Sequence, residues 1–149
     1  MVLLDSNVWL ALALSAHVHH VAAARWLAGV DEPASVCFCR ATQQSFLRLL
    51  TNAAVLAPYG NPPLGNRDAW AAYRALLADD RVVMRDREPA GTEARWRRLA
   101  LRDTASPKLW MDAYLAAFAV SIGYRLVTTD AAYEQFSELD VEVIGEPSD

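Results

Sequence analysis

No apolar run in this chain of 149 residues reaches the roughly 18 residues of a membrane span. The amino terminus lacks the basic flank and small-residue cleavage site of a secretory leader, and its first apolar run already ends in Asp5. A cytoplasmic protein with no membrane partner is therefore expected. Cysteine is scarce: Cys37 and Cys39 alternate with Val36 and Phe38. Residues two apart on a strand are poorly placed for a mutual disulfide, so both are expected as reduced core side chains. A zinc site would need two further ligands, and none lies near them. There is no general excess of positive charge. The net charge of −4 excludes a uniformly basic nucleic-acid binder. Internal repeats and low-complexity segments are absent as well. What remains is an apolar content of 54% and a charged content of 21%, ordinary for one globular domain spanning residues 1–149.

Strand and helix signals alternate along the chain. Val2–Leu4 reads as a short buried strand, followed by an apolar helix over Asn7–Leu14. A second helix over Val18–Ala28 is stopped by Gly29. Ser35–Cys39 is the second strand. Thr42–Thr51 is helical, with Phe46, Leu47, Leu49 and Leu50 available to the core. A loop over Ala57–Gly65 precedes a helix capped by Asn66 that runs to about Ala78. Val82–Met84 is the third strand, and Thr92 opens another helix with Glu93 in its first turn. Ser106-Pro107 breaks the chain before a helix containing Asp112. Leu126–Thr128 is a strand, Ala131–Phe136 a short helix and Val141–Ile144 a last strand. This alternation predicts an α/β fold whose parallel sheet is covered on both faces.

Three aspartates stand out against that pattern. Asp5 ends the first strand, Asp130 follows the fourth, and Asp112 lies in the first turn of its helix. In an open α/β sheet, ligand sites form beyond the carboxyl ends of the strands. Helices in such an alternation run antiparallel to the strands, so all three carboxylates are expected at one sheet edge. Each alone is explained by helix capping or by the helix dipole. Three converging like charges call for a cation, and hard oxygen donors suit a divalent one acting on phosphates. Asn7 is placed to orient an aspartate or a ligand water, and Thr128 to point a hydroxyl inward. Arg48 is placed either to pair with a carboxylate or to sit exposed on its helix.

The segments that carry these residues resemble a known family. Leu3-Leu4-Asp5-Ser6-Asn7-Val8-Trp9-Leu10-Ala11 is similar to the opening of PIN-domain ribonucleases of the VapC toxin type. Trp110-Met111-Asp112-Ala113-Tyr114-Leu115-Ala116 and Leu126-Val127-Thr128-Thr129-Asp130 resemble the family's two later motifs. His17-Val18-His19-His20-Val21-Ala22-Ala23-Ala24 resembles a helix start in a sub-branch of those toxins. The resemblance spans essentially the whole chain. It implies a PIN-like three-layer sandwich, with a central parallel sheet of four to five strands and helices on both faces. It implies a metal-dependent endoribonuclease, the toxin of a type II toxin–antitoxin pair, that hydrolyses RNA phosphodiester bonds. The implied cofactor is Mg2+ or Mn2+ held by Asp5, Asp112 and Asp130. The implied partners are RNA, a cognate antitoxin covering the acidic pocket, and a second copy in a homodimer. The family also has a Glu at the start of the helix after strand two. Here that segment reads Arg40-Ala41-Thr42-Gln43-Gln44-Ser45, and Gln43 is the best match, with Gln44 second. A Gln brings a carbonyl oxygen but no charge and no base. The segment Asp130-Ala131-Ala132-Tyr133 departs from the family's pattern as well.

Other features have two readings each. Between Arg81 and Lys108 there are eight basic residues and four acids. Arg95, Arg97, Arg98, Arg102 and Lys108 either follow an RNA backbone or form a solvated face. His17, His19 and His20 cannot share one helical face, and packing and capping suit them better than metal binding. Trp70 and Tyr73 either stack on bases or fill an interface. Two rival functions stand beside the ribonuclease: a PIN-like RNA- or partner-binding module weakened in catalysis by loss of the Glu, and a haloacid-dehalogenase-like phosphohydrolase. The latter needs a second Asp two residues after the first, where this chain has Asn7.

Overall fold

A computed structural model describes residues 1–145 of the chain. Five parallel strands form one sheet in the order β3-β2-β1-β4-β5: β1 Val2–Leu4, β2 Val36–Cys39, β3 Val82–Arg85, β4 Arg125–Thr128 and β5 Val141–Val143. The chain winds outward from β1 through β2 to β3. It then returns to the other side of β1 for β4 and β5. The direction of winding reverses at β1 and β4, and the crevice at their carboxyl ends is where an open α/β sheet places its ligand.

Strand alternation sorts the core into two layers. Leu4, Val36, Phe38, Val82 and Val127 face one side, against Val8 and Trp9 of α1 (Ser6–Ala13), Ala23 of α2 (His20–Ala28), Phe46 and Leu50 of α3 (Arg40–Leu50), Leu56 of α4 (Ala53–Leu56) and Tyr73 of α5 (Asn66–Leu77). Trp9 stacks on Phe38 with ring centroids 3.7 Å apart. Leu3, Cys37, Cys39 and Leu126 face the other side, against Ala100 of α6 (Thr92–Ala100) and Ala113, Leu115, Ala116 and Phe118 of α7 (Leu109–Ile122). This is the covered parallel sheet expected from the alternation, with five strands. Both cysteines are free and buried, and burial pushes the Cys37 thiol up to about 12. No helix among the described residues is long and apolar enough to cross a membrane.

Some boundaries differ from the sequence expectation for identifiable local reasons. Helix α2 starts at His20 rather than Val18, because the His17 ring accepts the His19 backbone N–H at 3.0 Å and closes a turn first. Helix α3 starts two residues before Thr42, since the Thr42 hydroxyl accepts the Cys39 N–H at 2.9 Å and caps a helix already begun at Arg40. Within the segment after α3, Asn52 caps the short α4 through the Ala54 N–H at 3.0 Å, and a 3-10 turn follows over Ala57–Tyr59. Asn66 is not a cap: Gly65 holds that position with extended backbone, and Asn66 is the first residue of α5. At the other end of the fold, α7 stops at Gly123, whose φ of 77° closes the helix and lets Tyr124 bond back to Ala119 at 2.8 Å on the way into β4.

Candidate active site

The chain's three singled-out aspartates line one pocket of about 300 Å3 at the β1–β4 switch point. The same pocket is lined by Ser6 and Asn7, by Ser45, Arg48 and Leu49 of α3, and by Asn52, Lys108, Met111 and Tyr133.

Asp5 is held from two sides. Its Oδ1 accepts the Ser6 N–H at 2.7 Å, capping α1. Its Oδ2 accepts the Thr128 hydroxyl, also at 2.7 Å. Thr128 in turn accepts the Asp130 N–H at 3.0 Å. One buried hydroxyl thus ties the end of β1 to the end of β4 and orders two of the three aspartates. Asp130 uses Oδ1 to cap the 3-10 turn Ala131–Gln135 through Ala132 N–H at 2.9 Å. The innocent explanations from the sequence are therefore true as well: Asp5 and Asp130 are caps, and Asp112 lies in the first turn of α7.

The electrostatics show what capping does not require. Asp5 is 6% exposed, and burial pushes its carboxyl up to about 6, against the hydrogen bonds from Thr128 and Ser6; Asp112 and Asp130 push the same way as burial. Asp112 is also raised, by burial first, with the Lys108 ammonium opposing. Asp130 is lowered, because Lys108 bonds it directly. Lys108 Nζ pairs with Asp130 Oδ2 and lies 3.8 Å from Asp112 Oδ2. The pocket sets three carboxylates against the Lys108 ammonium and the Arg48 guanidinium.

Gln43 does not face this pocket. Its Oε1 accepts from the Arg40 guanidinium at 2.6 Å, and the side chain is buried next to Tyr73. Gln44 is exposed. The residue that α3 presents to the aspartates is Ser45. Successive helix positions are about 100° apart, so Gln43 and Ser45 lie about 200° from one another around the axis. Thr42, Gln43, Phe46 and Leu50 form the buried face, which leaves Ser45, Arg48 and Leu49 for the pocket. The buried leucine and phenylalanine positions were the available signal for that phase.

The supporting residues fall as follows. Asn7 is exposed at the pocket rim. Arg48 lines the pocket and forms no ion pair among the described residues. Ser45, Asn52, Tyr133 and Met111 were not anticipated. Among the described residues, no three His, Cys, Asp or Glu side chains stand grouped to hold a metal ion as they are placed. Asp5, Asp112 and Asp130 share the pocket without closing into a ligand cluster.

The basic stretch is largely spent within the fold. Arg95 bonds Ser121 at 2.7 Å and lies 3.5 Å from Glu138, Arg98 pairs with Glu138, and Arg102 bonds Gln135 at 2.7 Å. Lys108 belongs to the carboxylate pocket. Arg97 is exposed and has no ion pair among the described residues. The histidines pack and turn the chain: His17 stacks on Tyr59 with centroids 4.8 Å apart, and His20 Nδ1 is 2.7 Å from the Ala11 carbonyl. Tyr73 is a core residue, edge-on to Phe38, and so is unavailable to bases, while its neighbour Trp70 is half exposed.

The chain matches the PIN domain family over residues 2–140. It is 57% identical over 144 residues to Ribonuclease VapC41 of Mycobacterium tuberculosis, covering 97% of this chain and 99% of that one. It is 46% identical over 134 residues to Ribonuclease VapC29 of the same organism, covering 87% and 86%. In fold it resembles the crystal structure of Mycobacterium tuberculosis VapC20, a sarcin-ricin loop cleaving toxin, with a TM-score of 0.62 at 20% identity over 91% of this chain and 94% of that one.

Proposed function

Because the chain belongs to the PIN-domain family, as a ribonuclease of the VapC toxin type, we propose that it hydrolyses RNA phosphodiester bonds with the help of a divalent cation, Mg2+ or Mn2+, bound by Asp5, Asp112 and Asp130. The observation that carries this reading is the shared pocket of three carboxylates at the sheet's switch point, with Asp5 raised by burial and by its two neighbours. A buried carboxylate pressed by like charges is relieved by a cation. The donor set is all oxygen, which suits Mg2+ or Mn2+ rather than a softer metal. When bound, the ion supplies a water of lowered pKa and offsets charge building on the phosphate.

The protein's own residues do the rest. Thr128 orients the Asp5 carboxylate and holds the Asp130 backbone in register across the β1–β4 crevice before any ligand arrives. Asn7, Ser45, Arg48 and Asn52 offer hydrogen-bond donors around the mouth, where a phosphodiester and its ribose would lie. Leu49 and Met111 supply apolar wall that limits water. In the cell the protein would act as the toxin of a type II toxin–antitoxin pair. Its partners would be a small antitoxin that masks the acidic pocket and a second copy of itself.

One observation favours a different reading, a module that binds RNA or a protein without cutting: α3 offers Ser45 to the pocket and no carboxylate. The purified protein separates the two. RNA is incubated with Mn2+, with Mg2+ and with EDTA, beside Asp112→Asn as control. Cleavage that needs the metal and is abolished in Asp112→Asn is the expected result. RNA binding without metal-dependent cleavage selects the non-cutting module.

A further inference from the structure

Of the 14 Lys and Arg residues, 13 are arginine and one is lysine. That lysine, Lys108, lines the pocket together with Arg48, and among the described residues it is the cation that forms ion pairs with the pocket's carboxylates. It precedes Asp112 by one helical turn, and its ammonium reaches both Asp112 and Asp130. Its side chain is 69% exposed, whereas those of Asp112 and Asp130 are 11% and 26% exposed. The stem therefore lies over the mouth of the pocket and is free to leave without disturbing the core. The choice of side chain matters here. A guanidinium clasps a carboxylate with two parallel bonds, while an ammonium is a compact point charge on a flexible stem. An ammonium is the easier of the two for another cation to replace.

We propose that Lys108 is a tethered counter-cation of the carboxylate pocket: it neutralises Asp112 and Asp130 in the metal-free protein, is displaced by the divalent ion, and so sets the affinity for that ion. The inference rests on the metal reading given above. With Lys108 in place the three carboxylates and the ammonium sum to −2 when all are charged. Without it they sum to −3, and the same donors hold a divalent ion more tightly while repelling one another more when it is absent. Two of the three carboxylates pair with the lysine.

Two measurements test this. Mn2+ affinity is determined by calorimetry for the wild type, Lys108→Met and Lys108→Arg, with melting temperatures in EDTA and in saturating Mn2+. Displacing a partly exposed ion pair costs little, so Lys108→Met is expected to bind Mn2+ roughly three- to tenfold more tightly. It should melt below the wild type in EDTA and regain the difference in Mn2+. Lys108→Arg, with its two-pronged grip, should bind Mn2+ more weakly than the wild type. The second measurement needs no substitution. Reductive 13C-methylation keeps the charge and labels one lysine, and NMR follows its signal as Mg2+ is added. The signal should move from its paired position to that of an exposed lysine. Equal or weaker Mn2+ binding by Lys108→Met, or a lysine signal indifferent to saturating Mg2+ while the wild type binds the ion, overturns the inference alone. If neither wild type nor Lys108→Met binds Mn2+, the metal reading falls and takes the inference with it. Should Lys108→Met fail to fold in EDTA, the NMR titration decides.

Discussion

Asp5→Asn should make the metal-free protein more stable at neutral pH, although it removes a buried, doubly hydrogen-bonded side chain. Asp5 has its carboxyl raised from 3.8 to about 6, chiefly by burial. Each pH unit in that interval corresponds to about 1.4 kcal/mol, so keeping Asp5 ionised in the folded state costs about 3 kcal/mol at pH 7.5. Asparagine has the same shape and no charge. Its carbonyl still accepts the Ser6 N–H that Asp5 accepts at 2.7 Å. Its amide then faces the Thr128 oxygen, which already accepts the Asp130 N–H, and the Thr128 hydroxyl proton loses its acceptor. That loss costs about 1 kcal/mol. The net gain is about 2 kcal/mol, about 4–8 °C in melting temperature for a chain of this size. The pH dependence carries the diagnosis. Between 3.8 and about 6 the folded protein holds a proton on Asp5 that the unfolded chain does not, so the destabilisation shrinks as the pH falls below about 6 and is gone only below 3.8. At pH 4.5 about 1 kcal/mol of that cost remains and matches the loss at the orphaned hydroxyl, so Asp5→Asn and the wild type should be about equally stable there. Asp79 and Glu138 are shifted the other way, lie outside the pocket and act in both proteins alike, so they cancel in the comparison. The assay is urea denaturation in EDTA at pH 7.5 and pH 4.5. A variant less stable than wild type at pH 7.5, or a difference that does not change between the two pH values, refutes the reasoning.

Two further outcomes follow from the geometry. Ser45→Glu should tighten Mn2+ binding and lower the melting temperature in EDTA, because it adds a carboxylate to the pocket; Gln43→Glu should leave Mn2+ binding unchanged, since that side chain meets Arg40 on the opposite face of α3, and calorimetry on both variants checks the pair. Neutralising Arg97 should weaken RNA binding and make its salt dependence shallower by about one unit of slope, whereas neutralising Arg95, which is held by Ser121 and Glu138, should leave the slope alone; filter binding across a salt series distinguishes them.

How much of this was legible in the sequence can be argued residue by residue. The parallel sheet was legible because its strands are short apolar runs separated by helices, and that pattern is local. Asp5, Asp112 and Asp130 were legible as neighbours, because a strand's end and a helix's first turn lie at one known edge of an α/β sheet. Thr128 was legible for the same reason, its hydroxyl lying two residues before Asp130 on β4. The α3 contribution was read on the wrong face. Matching a short segment by residue type selected Gln43, but a helix has no preferred face until it is packed, and Phe46 and Leu50 against the sheet turn Gln43 inward and Ser45 toward the pocket. Arg95, Arg98 and Arg102 were counted as free charge because their partners, Ser121, Glu138 and Gln135, lie 26 to 40 residues further along the chain.

By itself, then, the sequence determined the alternation of strands and helices, the edge at which three carboxylates gather, and the family to which such motifs belong. Each of these depends on periodicity and order over a few residues. The tertiary structure alone decided which side of α3 meets the aspartates, which basic residues are already paired, and that the chain's one lysine sits over the pocket of three carboxylates. Those are contacts between segments far apart in sequence, set by how whole faces pack, and no local pattern encodes them.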